Sequence, residues 1–157
     1  MKKTLLLIFL AFSLHGMAQF STPKNVNTLI IVYDSINQDS IFTLCQQYLI
    51  EAGHEFESID RDFRKIKTKL QAINKHAMAF YSLSFTAIKN KLYIRPYWKS
   101  NITTSYYAGR ASASSDNNES RSVKKNYGVP RAVYEHAEKT AWALMLKSTS
   151  HIEFTTE

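Results

Sequence analysis

The chain has 157 residues, 45% of them hydrophobic, with one cysteine and only four glycines. That length supports one domain around one core. The composition excludes a scaffold held by internal disulfides and offers no clustered glycines for a phosphate-cradling loop. The formal charge of +7 is a mild basic excess, spread through the chain rather than collected in a tail.

Lys2 and Lys3 precede a short apolar run, Thr4–Leu14, and Gly16 and Ala18 stand two apart where a signal peptidase requires small residues. The run is too short for a stable transmembrane anchor, and no cysteine follows it for lipidation. Residues 1–18 are therefore expected to be a signal peptide, with the protein periplasmic or secreted. A leader ending Met17-Ala18-Gln19 resembles those of exported Bacteroidota proteins. Without Lys2 and Lys3 the chain carries 18 basic against 13 acidic side chains. In an exported protein such an excess argues against nucleic acid and suits a soluble surface, or one that meets anionic lipid headgroups or glycans.

Residues 19–27 read as a flexible lead-in with little to bury. Thr28–Asp34, a β-branched run without clean alternation, predicts a strand that is interior in the sheet or covered on both faces. Asp39 or Ser40 is placed to cap a helix in which Ile41, Leu44, Cys45, Tyr48, Leu49 and Ala52 recur on one face. Gly53 is expected to close that helix in a left-handed cap. Cys45 falls on the apolar face, so a small buried residue is the reading preferred over an intermolecular disulfide.

His54–Asn74 admits two readings. Ile59, Phe63, Ile66, Leu70 and Ile73 recur at helical spacing, as in a basic amphipathic helix. Asp60-Arg61-Asp62 instead reads as a turn, and Ile66, Thr68 and Leu70 alternate with Lys65, Lys67 and Lys69. The alternation favours a hairpin of His54–Ile59 with Arg64–Gln71, its lysines discouraging edge-to-edge association.

Ala77–Trp98 predicts the central hairpin, turning at Lys89-Asn90-Lys91. Ala79, Tyr81, Leu83, Phe85 and Ala87 share a face with Leu92, Ile94, Pro96 and Trp98. Segment 109–125 is rich in Ser, Asn and charge and is expected to be disordered. Pro130 suits the first turn of a late helix lined by Val133, Ala137, Ala141, Leu144 and Met145, with Tyr134 beside them. Residues 149–157 read as a polar tail, in which His151–Phe154 could form a brief edge strand.

The expected fold is a two-layer α+β domain over residues 28–148. It has an antiparallel sheet of about five strands with two helices on one face, in the order β-α-β-β-β-β-α. Together with the leader, helix Ser40–Ala52, the segment ESIDRDFRKIKTK and the late helix, this order resembles exported Bacteroidota domains of TATA-binding-protein-like fold. The resemblance covers most of the mature chain, carries no catalytic residues over, and departs at the loop 109–125.

No residue pattern points to a cofactor, a metal or a catalytic centre. His136 among Glu135 and Glu138 lacks the two-histidine zinc spacing and reads as a solvated helix face. His54 suits the dipole at a helix end, His76 begins a strand, and Asp60 and Asp62 read as turn chemistry. The candidate binding residues are Tyr93, Arg95, Tyr97 and Lys99, which project from one side of a strand and could stack on sugars or pack on a protein partner. Tyr106 and Tyr107 could extend that surface. Asp34-Ser35-Ile36 and Asp39-Ser40-Ile41 resemble the short O-glycosylation acceptor motif of exported Bacteroidota proteins. The function expected is an exported, non-enzymatic binding or accessory module of the cell envelope. The alternative is a small periplasmic hydrolase or metal-dependent enzyme that uses carboxylates and His76 or His136. A third possibility is a basic surface for nucleic acid or anionic lipid.

Overall fold

The computed structural model describes residue 23 and residues 26–73, 79–100, 121–122 and 129–156. Its elements are β1 (Thr28–Tyr33), α1 (Gln38–Glu51), β2 (Phe56–Asp60), β3 (Lys65–Thr68), β4 (Gln71–Ala72), β5 (Ala79–Ile88), β6 (Lys91–Ser100), β7 (Arg121–Ser122), α2 (Val129–Met145) and β8 (Ser150–Thr155). The strands form one eight-stranded sheet in the order β2-β3-β5-β6-β1-β8, with β4 also on β5 and β7 also on β6. Every strand pair is antiparallel.

The expected α+β class and antiparallel sheet are present, and the strand count is larger than five. The two-residue strands β4 and β7 carry too little pattern to be read from sequence. The expected signal peptide lies outside the described residues, as does segment 109–125 apart from β7. The supposed tail contains β8, paired along its whole length with β1. The supposed lead-in also reaches the core at its end, where Val26 and Asn27 are buried. Asn27 N–H donates to Thr155 O (3.2 Å), so this end of the chain is held against β8.

The centre is the β5–β6 hairpin, ten residues in each strand, in continuous register from Ala79↔Ser100 to Ile88↔Lys91. Lys89 takes a left-handed φ of 54° at the turn. Alternation places Tyr81, Leu83, Phe85, Leu92 and Ile94 on the inner face, where all are buried. Both helices cover this face. Cys45 of α1 lies near Tyr33 of the inner face, and His136 of α2 stacks on Tyr81. Small Ala137 and Ala141, both fully buried, let α2 lie close.

β1 lies between β6 and β8 and is buried on both faces, which is why its sequence shows no alternation. The 54–73 region is the hairpin, not the helix, with a bulge between Phe56 and Ser58. Its loop is closed by Asp60 Oδ1, which accepts from Phe63 N–H at 3.0 Å. Arg64, at φ 48°, donates to Arg61 O (2.8 Å), Asp62 O (2.7 Å) and Asp39 Oδ1 (2.8 Å), tying the loop to the first turn of α1.

Helix α1 is capped two or three residues earlier than expected, at Asn37. The Asn37 side chain accepts from Ser40 N–H at 2.9 Å, which leaves Asp39 free to meet Arg64. Phe42 replaces Ala52 in the buried stripe; Ala52 is exposed because the chain is already leaving the helix there. Gly53 N–H donates to Ile50 O (3.0 Å) and His54 N–H to Leu49 O (2.9 Å). This crossed pair is the Schellman closure, with Gly53 at φ 75°. A Cβ at Gly53 would meet nothing within 4 Å, so only backbone strain opposes a side chain there. Gly53→Ala is expected to lower stability by about 1–2 kcal/mol, read as a shifted urea midpoint with an unchanged slope; an unshifted midpoint would contradict the strained cap.

Candidate functional site

The face turned away from the helices is built by register. Tyr93, Arg95, Tyr97 and Lys99 all project there from β6, opposite Thr86, Ser84, Ser82 and Phe80 of β5. Beyond β5, Lys65 pairs with Thr86 and Lys67 with Ser84. The face therefore carries two parallel stripes, lysines on β3 and Tyr/Arg on β6, with small Ser82 and Ser84 buried between them. The four candidate residues from the sequence are brought together, with Arg95 the most exposed. Tyr106 and Tyr107 lie outside the described residues.

Much of this surface is held in place. Arg95 Nε donates to Thr28 Oγ1 at 3.3 Å. Lys91, opposite Val32, meets Glu153, opposite Ile30, at 2.9 Å. Since β1 runs between their strands, this ion pair crosses over the buried Ile30 and Val32. The contact keeps Glu153 below the usual carboxylate range and Lys91 above the usual ammonium range, in each case first through the shared hydrogen bond. Lys67 meets Glu57 (2.9 Å) and Lys69 meets Glu55 (2.7 Å) across the β2–β3 hairpin. An open cleft of about 710 Å³ continues the basic stripe to the hairpin loop, lined by Asp60, Arg61, Asp62, Lys65 and Lys67 among others.

A second polar cluster, missed in the sequence, lies on the helix side. Tyr81 O–H donates to Gln71 Oε1 at 2.7 Å, and Gln71 Nε2–H donates to His54 Nδ1 at 3.0 Å. The ring of His136 stacks on Tyr81, with centroids 4.5 Å apart and planes at 17°. An amide nitrogen has no lone pair to offer, so His54 must be neutral with its proton on Nε2. Burial lowers the pKa of both histidines. The neighbouring His136 lowers His54 further, and Lys139 lowers His136 against an opposing pull from Glu135. Thus His54 is not a charged partner of the helix dipole, and His136 is not on a solvated face. The flank of α2 that carries it lies against Tyr81. The only sequence signal was that His136 borders the Val133–Ala137 stripe.

Among the described residues, Asp60 and His136 are not brought together. Asp60 pairs with Lys65 in the row of Thr86, five residues along β5 from Tyr81 and His136, or about 16 Å at the rise of a strand. His76 lies outside the described residues. Among the described residues no three His, Cys, Asp or Glu side chains are grouped to hold a metal, and no helix is long and apolar enough to cross a membrane. Burial raises the pKa of the Cys45 thiol, which disfavours the nucleophilic thiolate. No family model matches the sequence, and no curated protein is significantly similar to it.

The histidine pair gives the fold a pH dependence of defined sign. Each imidazole protonates less readily in the fold than at its ordinary value of 6.5, so the unfolded chain binds more protons as the pH falls through that region. Stability is complete above 6.5 and is lost as the pH drops below it. Denaturation midpoints measured from about pH 8 to about pH 5 should fall. In a His54→Gln, His136→Gln variant that slope should flatten, and only the loss from Glu55 and Glu153, below the ordinary carboxylate value of 4.5, should remain. An equal slope in both proteins would show that the pair is not responsible.

Proposed function

We propose that the protein is an exported, non-enzymatic binding module of the cell envelope that receives a protein or glycan partner on the outer face of its sheet. One observation carries this reading. The inner face is taken up by two helices, while the outer face presents Tyr93, Arg95, Tyr97 and Lys99 in a row from β6, in the middle of the sheet. Tyrosine rings give flat apolar area with a polar tip, suited to sugar faces or to a protein surface. Arg95 and the parallel Lys65 and Lys67 favour partners with acidic groups. The short leader-like segment and the single cysteine agree with export, and the α+β build is compatible with the resemblance to exported Bacteroidota domains.

The two short glycosylation-like motifs fit the same setting. Ser35 is exposed in the bend between β1 and α1, and Ser40 is exposed in the first turn of α1. Because Ser40 is bound into the cap by its backbone N–H, Ser35 is the more accessible acceptor for a transferase that needs extended chain. Mass spectrometry of protein from its own host should show added hexose at Ser35, and an unmodified mass would dismiss the motif.

The binding face is tested by replacing Arg95→Ala together with Tyr97→Ala. Both side chains lie on the face turned away from α1 and α2, so the circular dichroism spectrum should be unchanged and stability should shift by no more than about 1 kcal/mol. Capture of envelope proteins or glycans by the immobilised protein should be lost. A folded double variant that retains every partner would place binding elsewhere.

A further inference from the structure

The two ends of the sheet are built differently. At one end, β2 is interrupted by the bulge between Phe56 and Ser58 and carries Glu57 and Asp60, devices that discourage further pairing. At the other end, β8 pairs with β1 in unbroken register from Thr155 to Ser150 and contains neither proline nor lysine. Among the described residues no strand pairs with its other side. Ile152 and Phe154, on the inner face at this margin, are only partly buried.

We propose that a second copy of this chain docks on β8, edge to edge and antiparallel, joining two sheets into one. The register follows from hydrogen bonding and charge. Asp34 N–H donates to Thr149 O at 3.3 Å, which continues the β1–β8 ladder. In an antiparallel ladder the bonded positions alternate. Residues 149, 151, 153 and 155 therefore bond toward β1, and Ser150, Ile152 and Phe154 turn their N–H and C=O groups outward. A two-fold pairing that matches outward groups has its axis at residue 151, 152 or 153. An axis at 151 sets His151 against itself, and an axis at 153 sets Glu153 against itself. An axis at Ile152 sets His151 of each copy opposite Glu153 of the other, and it keeps residues 150–154 in the ladder. An axis at 151 would keep only residues 150–152 of β8 in the ladder, and an axis at 153 would set two carboxylates against each other, which repel; the axis at Ile152 does neither and sets an imidazole, a cation when protonated, opposite a carboxylate.

The inner side agrees with this choice. Ile152 would face its own copy and Phe154 would face Ser150, extending the apolar layer across the junction. The pairing is isologous, each copy presenting the same edge to the other, and it closes at two chains.

Sedimentation of the purified protein over a concentration series should show a monomer–dimer equilibrium. His151→Glu places Glu against Glu153 twice and should weaken the dimer about ten-fold, with the circular dichroism spectrum unchanged. Ile152→Cys in a Cys45→Ser background should cross-link the dimer under mild oxidation, because the axis brings the two Cα atoms to about 5.5 Å. Ser150→Cys should not, since its opposite number is Phe154. A protein that stays monomeric at every concentration overturns the proposal and leaves an extended peptide as the occupant of the edge. A dimer indifferent to His151→Glu, or one that cross-links at 150 and not at 152, overturns it as well.

Discussion

The structure rests on the period of two along β5 and β6, locked by their continuous ladder. A slip of one residue would send Tyr81, Leu83, Phe85, Leu92 and Ile94 into water and bring Ser82, Ser84, Tyr93 and Arg95 under the helices. Burying the ionised Arg95 there without partners would cost far more than the ladder could return. The register is therefore over-determined. Every other element takes its position from it: α1 and α2 on one side, and β3 and β1 on the two flanks. The candidate surface and the core are two readings of the same alternation, so neither can drift without the other.

The outer face is not a bare sheet. Its small or apolar floor, Ile30, Val32, Ser82 and Ser84, is buried, while the long amphipathic side chains beside it remain partly in water. Such side chains lay an apolar stem on the sheet and keep the polar end wet. The Lys91–Glu153 contact across β1 extends this arrangement to the β8 margin. A partner would meet side chains already fixed by the Arg95–Thr28 and Lys91–Glu153 contacts, which lowers the ordering cost of binding.

What could be read from the sequence was what period alone decides. The faces of β5 and β6, the buried stripe of α2 and the cap at Gly53 each follow from local residues. The Lys65–Lys67–Lys69 alternation was enough to prefer a hairpin over a helix. What escaped was set by contacts between distant segments. Asn37 takes the cap, and Asp39, within the first turn, meets Arg64, 25 residues on. For β8 the brief edge strand at His151–Phe154 was legible, and what escaped is its full length, Ser150–Thr155, which its pairing with β1 sets. The meeting of His54 and Gln71 follows from the expected hairpin, but the stacking of His136 of α2 on Tyr81 joins segments that no local pattern relates.

The Tyr81–Gln71–His54 chain also bears on what the molecule does. A general base needs an unshared pair on a nitrogen that substrate can reach. In His54 the Nδ1 pair is committed to Gln71 and the proton is on Nε2, so as held it has no pair to offer. His136 lies nearly parallel to Tyr81, an arrangement that trades solvent for ring contact, and the nearest carboxylate to act on it electrostatically is Glu135 on its own helix. Burial thus disfavours the charged form of both histidines. Their net effect is to fasten the end of α1 and the flank of α2 to the inner face of β5, on the side of the sheet away from Tyr93, Arg95 and Tyr97. The helix side thus contributes packing to the fold, and the Tyr93, Arg95 and Tyr97 row stands on the other side of the same sheet.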